Sequence, residues 1–171
     1  MEIAATKVKE LREQSGAGVM VCRNALIEAE GDTTRALQIL KDKGILKAQK
    51  KSERVTNQGL VECYIHTGGR IGAMVELNCE TDFVARTDEF KALAHDLAMQ
   101  VAAVPPQFIT PDEVTPEAAN DEEIELQAAC LLLQPFIKDP TRTIQDVVTE
   151  TIAKVGENIR VSRFARFALG E

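Results

Sequence analysis

Val61-Glu62-Cys63-Tyr64-Ile65-His66-Thr67-Gly68-Gly69-Arg70-Ile71-Gly72-Ala73-Met74-Val75-Glu76-Leu77-Asn78 is the stretch that decides the fold of this chain. Val61, Cys63 and Ile65 alternate with Glu62, Tyr64 and His66; beyond Gly68-Gly69, Ile71, Ala73, Val75 and Leu77 alternate with Gly72, Met74, Glu76 and Asn78. A period of two sends successive side chains to opposite faces of a strand. Two glycines between such runs supply the positive φ of a tight turn. The stretch therefore predicts a β-hairpin with one apolar face, made by Val61, Cys63 and Ile65 together with Ile71, Ala73, Val75 and Leu77. With Gly68 and Gly69 as the turn, Cys63 lies opposite Met74 and Cys79 opposite Gln58, so no disulfide joins the two hairpin cysteines. A lone hairpin is too small to be stable. Residues 159–169 offer the third strand, with Ile159 and Val161 alternating with Arg160 and Ser162, and Phe164 and Phe167 following.

Outward from the hairpin the period changes. Phe90, Leu93, Ala94, Leu97, Ala98 and Val101 recur at helical spacing. Thr87 is placed to cap that helix, and Asp88 and Glu89 stand at the end of the dipole that favours negative charge. Pro105-Pro106 ends it. A loop with Pro111 and Pro116 leads to a predicted helix through Ile124, Leu126 and Ala128 to Leu133, closed by Pro135. Thr143 then caps a helix bearing Ile144, Val147, Val148, Ile152 and Val155, stopped by Gly156.

On the N-terminal side, Val8 and Leu11, with Ile3 or Ala4 a turn earlier, mark a helix that ends at Ser15-Gly16-Ala17-Gly18. Val19, Cys22, Leu26 and Ala29 mark a second, ending at Gly31. Asp32 is placed to cap a third carrying Ala36, Leu37 and Leu40, which Gly44 closes. The Lys-, Gln- and Ser-rich stretch that follows reads as a partly helical linker. The expected architecture is α+β: a three-helix bundle over residues 1–45, a linker over 46–57, and a core over 58–171 in which helices cover one face of a small three-stranded antiparallel sheet.

Composition narrows the function. The chain has 171 residues, 44% hydrophobic and 27% charged, which suits a mid-sized globular core. Aromatics are 4% with no Trp, so the core is largely aliphatic and the placement of the six Phe matters. A net charge of -7 argues against gripping a phosphate backbone. The basic stretch Lys47, Lys50, Lys51 and Arg54 is balanced by Glu53 and reads as a solvated helix face or linker. Protein partners fit this charge better than nucleic acid. The four cysteines, Cys22, Cys63, Cys79 and Cys130, lack C-x-x-C spacing, nothing at the start resembles an export signal, and no apolar run is long enough for a bilayer. The expectation is a reducing cytoplasm, no membrane, and cysteines serving as small core residues.

Catalytic chemistry is hard to assemble. The chain has two histidines, His66 at the hairpin turn and His95 on the polar side of a helix, and neither belongs to a recognisable triad. Thr67-Gly68-Gly69-Arg70 lacks the G-K-[ST] of a phosphate loop and reads as a turn. Strand alternation sends Cys63 and His66 to opposite faces, which argues against a metal site with Cys79. Asp121, Glu122, Glu123 and Glu125 open a helix, where negative charge is favoured without catalysis. No enzyme, no cofactor and no metal are expected. One junction stands out: Thr81-Asp82-Phe83-Val84 sets an acid beside a phenyl ring where strand gives way to helix. Such a ring is either tucked into its own core or offered to a partner, and the local pattern leaves both open.

Three segments together resemble one family. They are Val8-Lys9-Glu10-Leu11-Arg12-Glu13 with Ser15-Gly16-Ala17-Gly18 and Asn24-Ala25-Leu26; Glu76-Leu77-Asn78-Cys79-Glu80-Thr81-Asp82-Phe83-Val84-Ala85; and Ile152-Ala153-Lys154-Val155-Gly156-Glu157-Asn158-Ile159. In that order they resemble bacterial translation elongation factor Ts. The resemblance implies a guanine-nucleotide exchange factor for elongation factor Tu. It also implies that the N-terminal bundle is ubiquitin-associated-like and docks on the GTPase through Leu11, Arg12 and Gly16, Ala17, Gly18, Val19 and Met20. Val21 stands where the family commonly has an acid, and Asn24 where it commonly has a Lys. Thr81, Asp82, Phe83 and Val84 are the implied contacts near the partner's magnesium site, with Phe83 as a wedge.

Longer members duplicate the α+β core, whereas the strand-and-helix set occurs once here, and similar short members associate as homodimers. Phe164, Phe167 and the helix from Ile124 to Leu133 are candidates for that surface or for the internal core. The rival reading is an adaptor whose bundle binds a protein without affecting nucleotide.

Overall fold

Gly68 and Gly69 reverse the chain with φ of 93° and 68°, and the strands they join pair in the register that this turn dictates. The computed structural model describes residues 3–115 and 125–171. Its elements are α1 (Ala5–Ser15), α2 (Val19–Glu28), α3 (Thr33–Gln49), β1 (Gln58–Ile65), β2 (Ile71–Cys79), α4 (Asp82–Ala85), α5 (Asp88–Ala103), α6 (Leu126–Ala129), β3 (Pro135–Phe136), β4 (Asp139–Thr143), α7 (Ile144–Val155) and β5 (Ile159–Ala168). The chain is α+β, with an N-terminal helical bundle and a three-stranded antiparallel sheet in the order β1-β2-β5.

Cys63 pairs with Met74 and Gln58 with Cys79, as the glycine turn predicts. The same register corrects the expected apolar face. Ala73, Val75 and Leu77 lie opposite Tyr64, Glu62 and Leu60, so those six share the inner face. Val61, Cys63 and Ile65 fall on the outer face with Glu76, Met74 and Gly72, and Val61 and Ile65 are 57% and 64% exposed. Alternation establishes two faces but not which one is covered. Cys63 is therefore an exception among the cysteines, exposed while Cys22, Cys79 and Cys130 are buried.

The inner face is roofed by α5, whose Phe90, Leu93, Ala94, Leu97, Ala98 and Val101 are all buried. Ile144, Val148 and Ile152 of α7 and Ile159 and Val161 of β5 complete the core. A bulge opposite the Glu76/Leu77 step shifts the β5 alternation. Phe164 consequently packs against the core, whereas Phe167 stands on the outer face, 75% exposed.

Two further expectations change. The helix predicted through Leu133 is broken: α6 stops at Ala129, Cys130 is extended and bridges to Phe108, and a 3-10 turn covers Leu131–Leu133. Gln134, fully buried, draws the chain inward by donating its amide to the Ala128 and Val104 carbonyls while accepting from Gln100. Those polar groups must be paired once buried, and a continuous helix would leave them unpaired. Ile124, Pro116 and the acids 121–123 lie outside the described residues. The small β3–β4 ladder was not foreseen. The other change is that α3 does not end at Gly44 but runs on to Gln49, with residue 44 lying against Ala153 of α7. One mid-helix glycine costs about 1 kcal/mol, which packing readily offsets.

The bundle has its own small core of Val8, Leu11, Cys22, Ala25, Leu26, Ala29 and Ala36. Asp32 caps α3 by accepting from the Arg35 amide at 3.0 Å. Asp32→Ala is expected to cost about 0.5–2 kcal/mol, read as a lower denaturant midpoint with an unchanged slope. No helix among the described residues is long and apolar enough to cross a membrane.

Candidate functional site

Where β2 ends, Cys79 is its last inward residue and fully buried. Burial pushes its thiol pKa up, and the protonated Sγ donates to the Thr81 carbonyl at 3.1 Å. Thr81 then caps α4, its hydroxyl accepting from the Val84 amide at 3.4 Å. Val84 and Ala85 turn inward and are buried against the core. Phe83 precedes them by a fraction of a helical turn, and its ring points to solvent, 77% exposed. Asp82 is also exposed and accepts from Arg86 at 2.8 Å, a surface pair worth well under about 1 kcal/mol.

The connection is pinned from outside the hairpin. Glu157, in the turn after α7, accepts from the Thr81 amide at 3.0 Å and from the Thr81 hydroxyl at 2.6 Å. Its neighbour Asn158 donates its amide N–H to Glu80 at 2.7 Å and its side-chain Nδ2 to the Ser52 and Arg54 carbonyls at 3.2 and 2.9 Å. Lys51 donates to the Gly156 carbonyl. Residues 51–54, 80–81 and 156–158 thus form one polar knot.

The second candidate surface is the start of α2. Gly16 takes the left-handed conformation at φ 64° and closes α1 by donating its N–H to the Arg12 carbonyl at 2.8 Å. A Cβ there would lie 2.5 Å from Lys154 Cε of α7, the far end of a flexible side chain that can swing aside, so the positive φ rather than space is what favours glycine. Arg12, Gly16, Gly18, Val19 and Met20 are exposed and Ala17 is half-buried, with Met20 at 61%. Leu11 is different: it is wholly inside the bundle core. Of the residues expected as contacts, Leu11 and Val84 are therefore buried supports and the rest are at or near the surface. Val21 is exposed beside this loop.

Aromatics gather elsewhere. Tyr64 contacts His66 and packs edge-on to His95, and His95 Nδ1 lies 3.4 Å from Glu62. The residues that sequence reasoning missed are Glu80, Glu157 and Asn158. Glu80 lies in the second family-like segment and Glu157 and Asn158 in the third, but nothing in the spacing tied residues 157–158 to residues 80–81.

The family model for elongation factor Ts matches residues 45–129. Elongation factor Ts of Carboxydothermus hydrogenoformans is 48% identical over 195 aligned positions, covering 99% of this chain and 90% of the relative. Those of Thermoanaerobacter pseudethanolicus and Rippkaea orientalis are 47% and 48% identical, covering 96% and 79% of their own lengths.

Proposed function

Since the chain belongs to the elongation factor Ts family, we propose that it is a guanine-nucleotide exchange factor that acts in the cytoplasm on elongation factor Tu bound to GDP. The observation that carries the reading is Phe83. A phenyl ring left in water forgoes about 1.5–3 kcal/mol that burial would supply, and a ring held on a capped, core-anchored turn reaches that gain when it enters a partner. In this reading Phe83 inserts beside the partner's magnesium and phosphate site. Asp82 accepts donors from the displaced segment. The bundle, a ubiquitin-associated-like module, docks through Arg12 and the loop 16–20, with Leu11 and Val84 supporting from beneath.

Release follows from linkage. Whatever factor this protein removes from the partner's affinity for GDP, bound GDP removes from the partner's affinity for this protein. The ternary complex is transient, and incoming nucleotide expels the exchange factor. No bond is made or broken by the factor itself. The test is release of fluorescent GDP from elongation factor Tu: acceleration by catalytic amounts of the chain is expected, whereas binding without acceleration supports the adaptor reading instead.

We also propose a homodimer. It is supported by the uncovered outer sheet face, where Ile65, Met74 and Phe167 make an apolar end beside a polar end closed by the Arg163–Glu76 ion pair at 2.6 Å. Phe167→Glu is expected to shift the chain to monomer in sedimentation, and alkylation of the exposed Cys63 is expected to slow as protein concentration rises. A wild-type chain that sediments as a monomer at every concentration contradicts the dimer.

A further inference from the structure

The turn that follows α7 has no part in the wedge as described, yet it makes the shortest polar contact that the wedge has, 2.6 Å from Glu157 to the Thr81 hydroxyl. We propose that Glu157 is a positioning residue for nucleotide exchange, one that fixes the direction of Phe83 by clamping Thr81; the proposal rests on the exchange-factor reading. Both Glu157 carboxylate oxygens are used, one on the Thr81 N–H and the other on its hydroxyl. The proton count is consistent. The hydroxyl spends its one proton on Glu157 and keeps lone pairs to accept from the Val84 amide. Glu157 therefore sets the rotamer of the very group that starts α4. From that start, two residues on, the chain direction of Phe83 follows.

The other side of Thr81 is held as well. Its carbonyl accepts from the buried Cys79 thiol, so Thr81 is gripped at its N–H, hydroxyl and carbonyl. Hydrogen bonds to an ionised acceptor are shorter and about twice as strong as neutral ones. A short helix of four residues has little internal cooperativity to fix its own orientation, so an external clamp decides it. Asn158 and Glu80 extend the same knot to residues 52 and 54, which orients the turn carrying Glu157. A wedge that must enter a partner's site in one pose gains from such preorganisation, because ordering it is already done before binding.

Glu157→Gln is the test, since it keeps shape and turn while placing an NH₂ where one of two donors needs an acceptor. The plateau rate of GDP release at saturating factor is expected to fall about tenfold, with the half-saturating concentration and the melting temperature little changed. Hydrogen exchange at the Thr81 amide is expected to quicken while the amides of Val75 and Leu77 stay protected. Asp112→Asn, which removes an exposed acid outside the knot, serves as the charge control and is expected to leave the plateau unchanged. A Glu157→Gln chain with wild-type plateau, or with a plateau that falls only in step with a lowered melting temperature, overturns the proposal. So does unchanged Thr81 exchange. Failure of the wild-type chain to accelerate release would sink the exchange reading instead, and the Thr81 exchange measurement still tests the clamp.

Discussion

Phe83→Ala is expected to lower the acceleration of GDP release by roughly 10- to 100-fold while leaving the melting temperature within a degree or two of the wild type. The magnitude follows from the roughly 1.5–3 kcal/mol that burial of a phenyl ring contributes, at about 1.4 kcal/mol per decade. Stability is spared because the ring touches mostly water in the free chain, being 77% exposed. Val84 and Ala85, which do anchor the turn, are untouched. The readouts are stopped-flow release of labelled GDP and a thermal melt of the same preparation. A collapse of the melt would mean that the ring belongs to its own core.

Phe90→Ala, the same change seven positions later, is expected to do the reverse. Phe90 is fully buried under the sheet in the first turn of α5, and emptying such a site costs about 3–5 kcal/mol through lost transfer energy and the cavity left behind. That is a large fraction of the stability of an ordinary domain. Loss of exchange in this variant should track the unfolded fraction, so activity returns wherever conditions restore the fold. Release that stays lost in fully folded Phe90→Ala protein contradicts this division of labour between the two rings.

Sequence made most of this legible, and for identifiable reasons. The glycine turn fixed register because a two-residue connection leaves no slack. The apolar stripe of α5 and the Thr87, Thr143 and Asp32 caps depend only on local spacing, and each cap bonds as expected. The covered side of β1 is misread from alternation alone: Val61, Cys63 and Ile65 form the more apolar row, but the register set by the glycine turn places them opposite Glu76, Met74 and Gly72 on the outer face and puts Glu62 on the inner one. Nor was the break at Cys130, which follows from the buried Gln100–Gln134 pair, 34 residues apart in sequence. The clamp on Thr81 spans 76 residues, so its acid looked like any turn glutamate. The exposure of Phe83 sits between these cases: the junction was visible, but whether the ring went in or out depended on how far α4 turned before Val84 met the core.

The most direct measurement places 4-fluorophenylalanine at position 83 and follows its fluorine resonance. In the free chain the ring should report solvent contact through a full H₂O/D₂O isotope shift. On adding nucleotide-free elongation factor Tu, the resonance should move and lose that shift, and excess GDP should restore it. A resonance that keeps its solvent shift while the complex forms, or one already shielded in the free chain, contradicts the account.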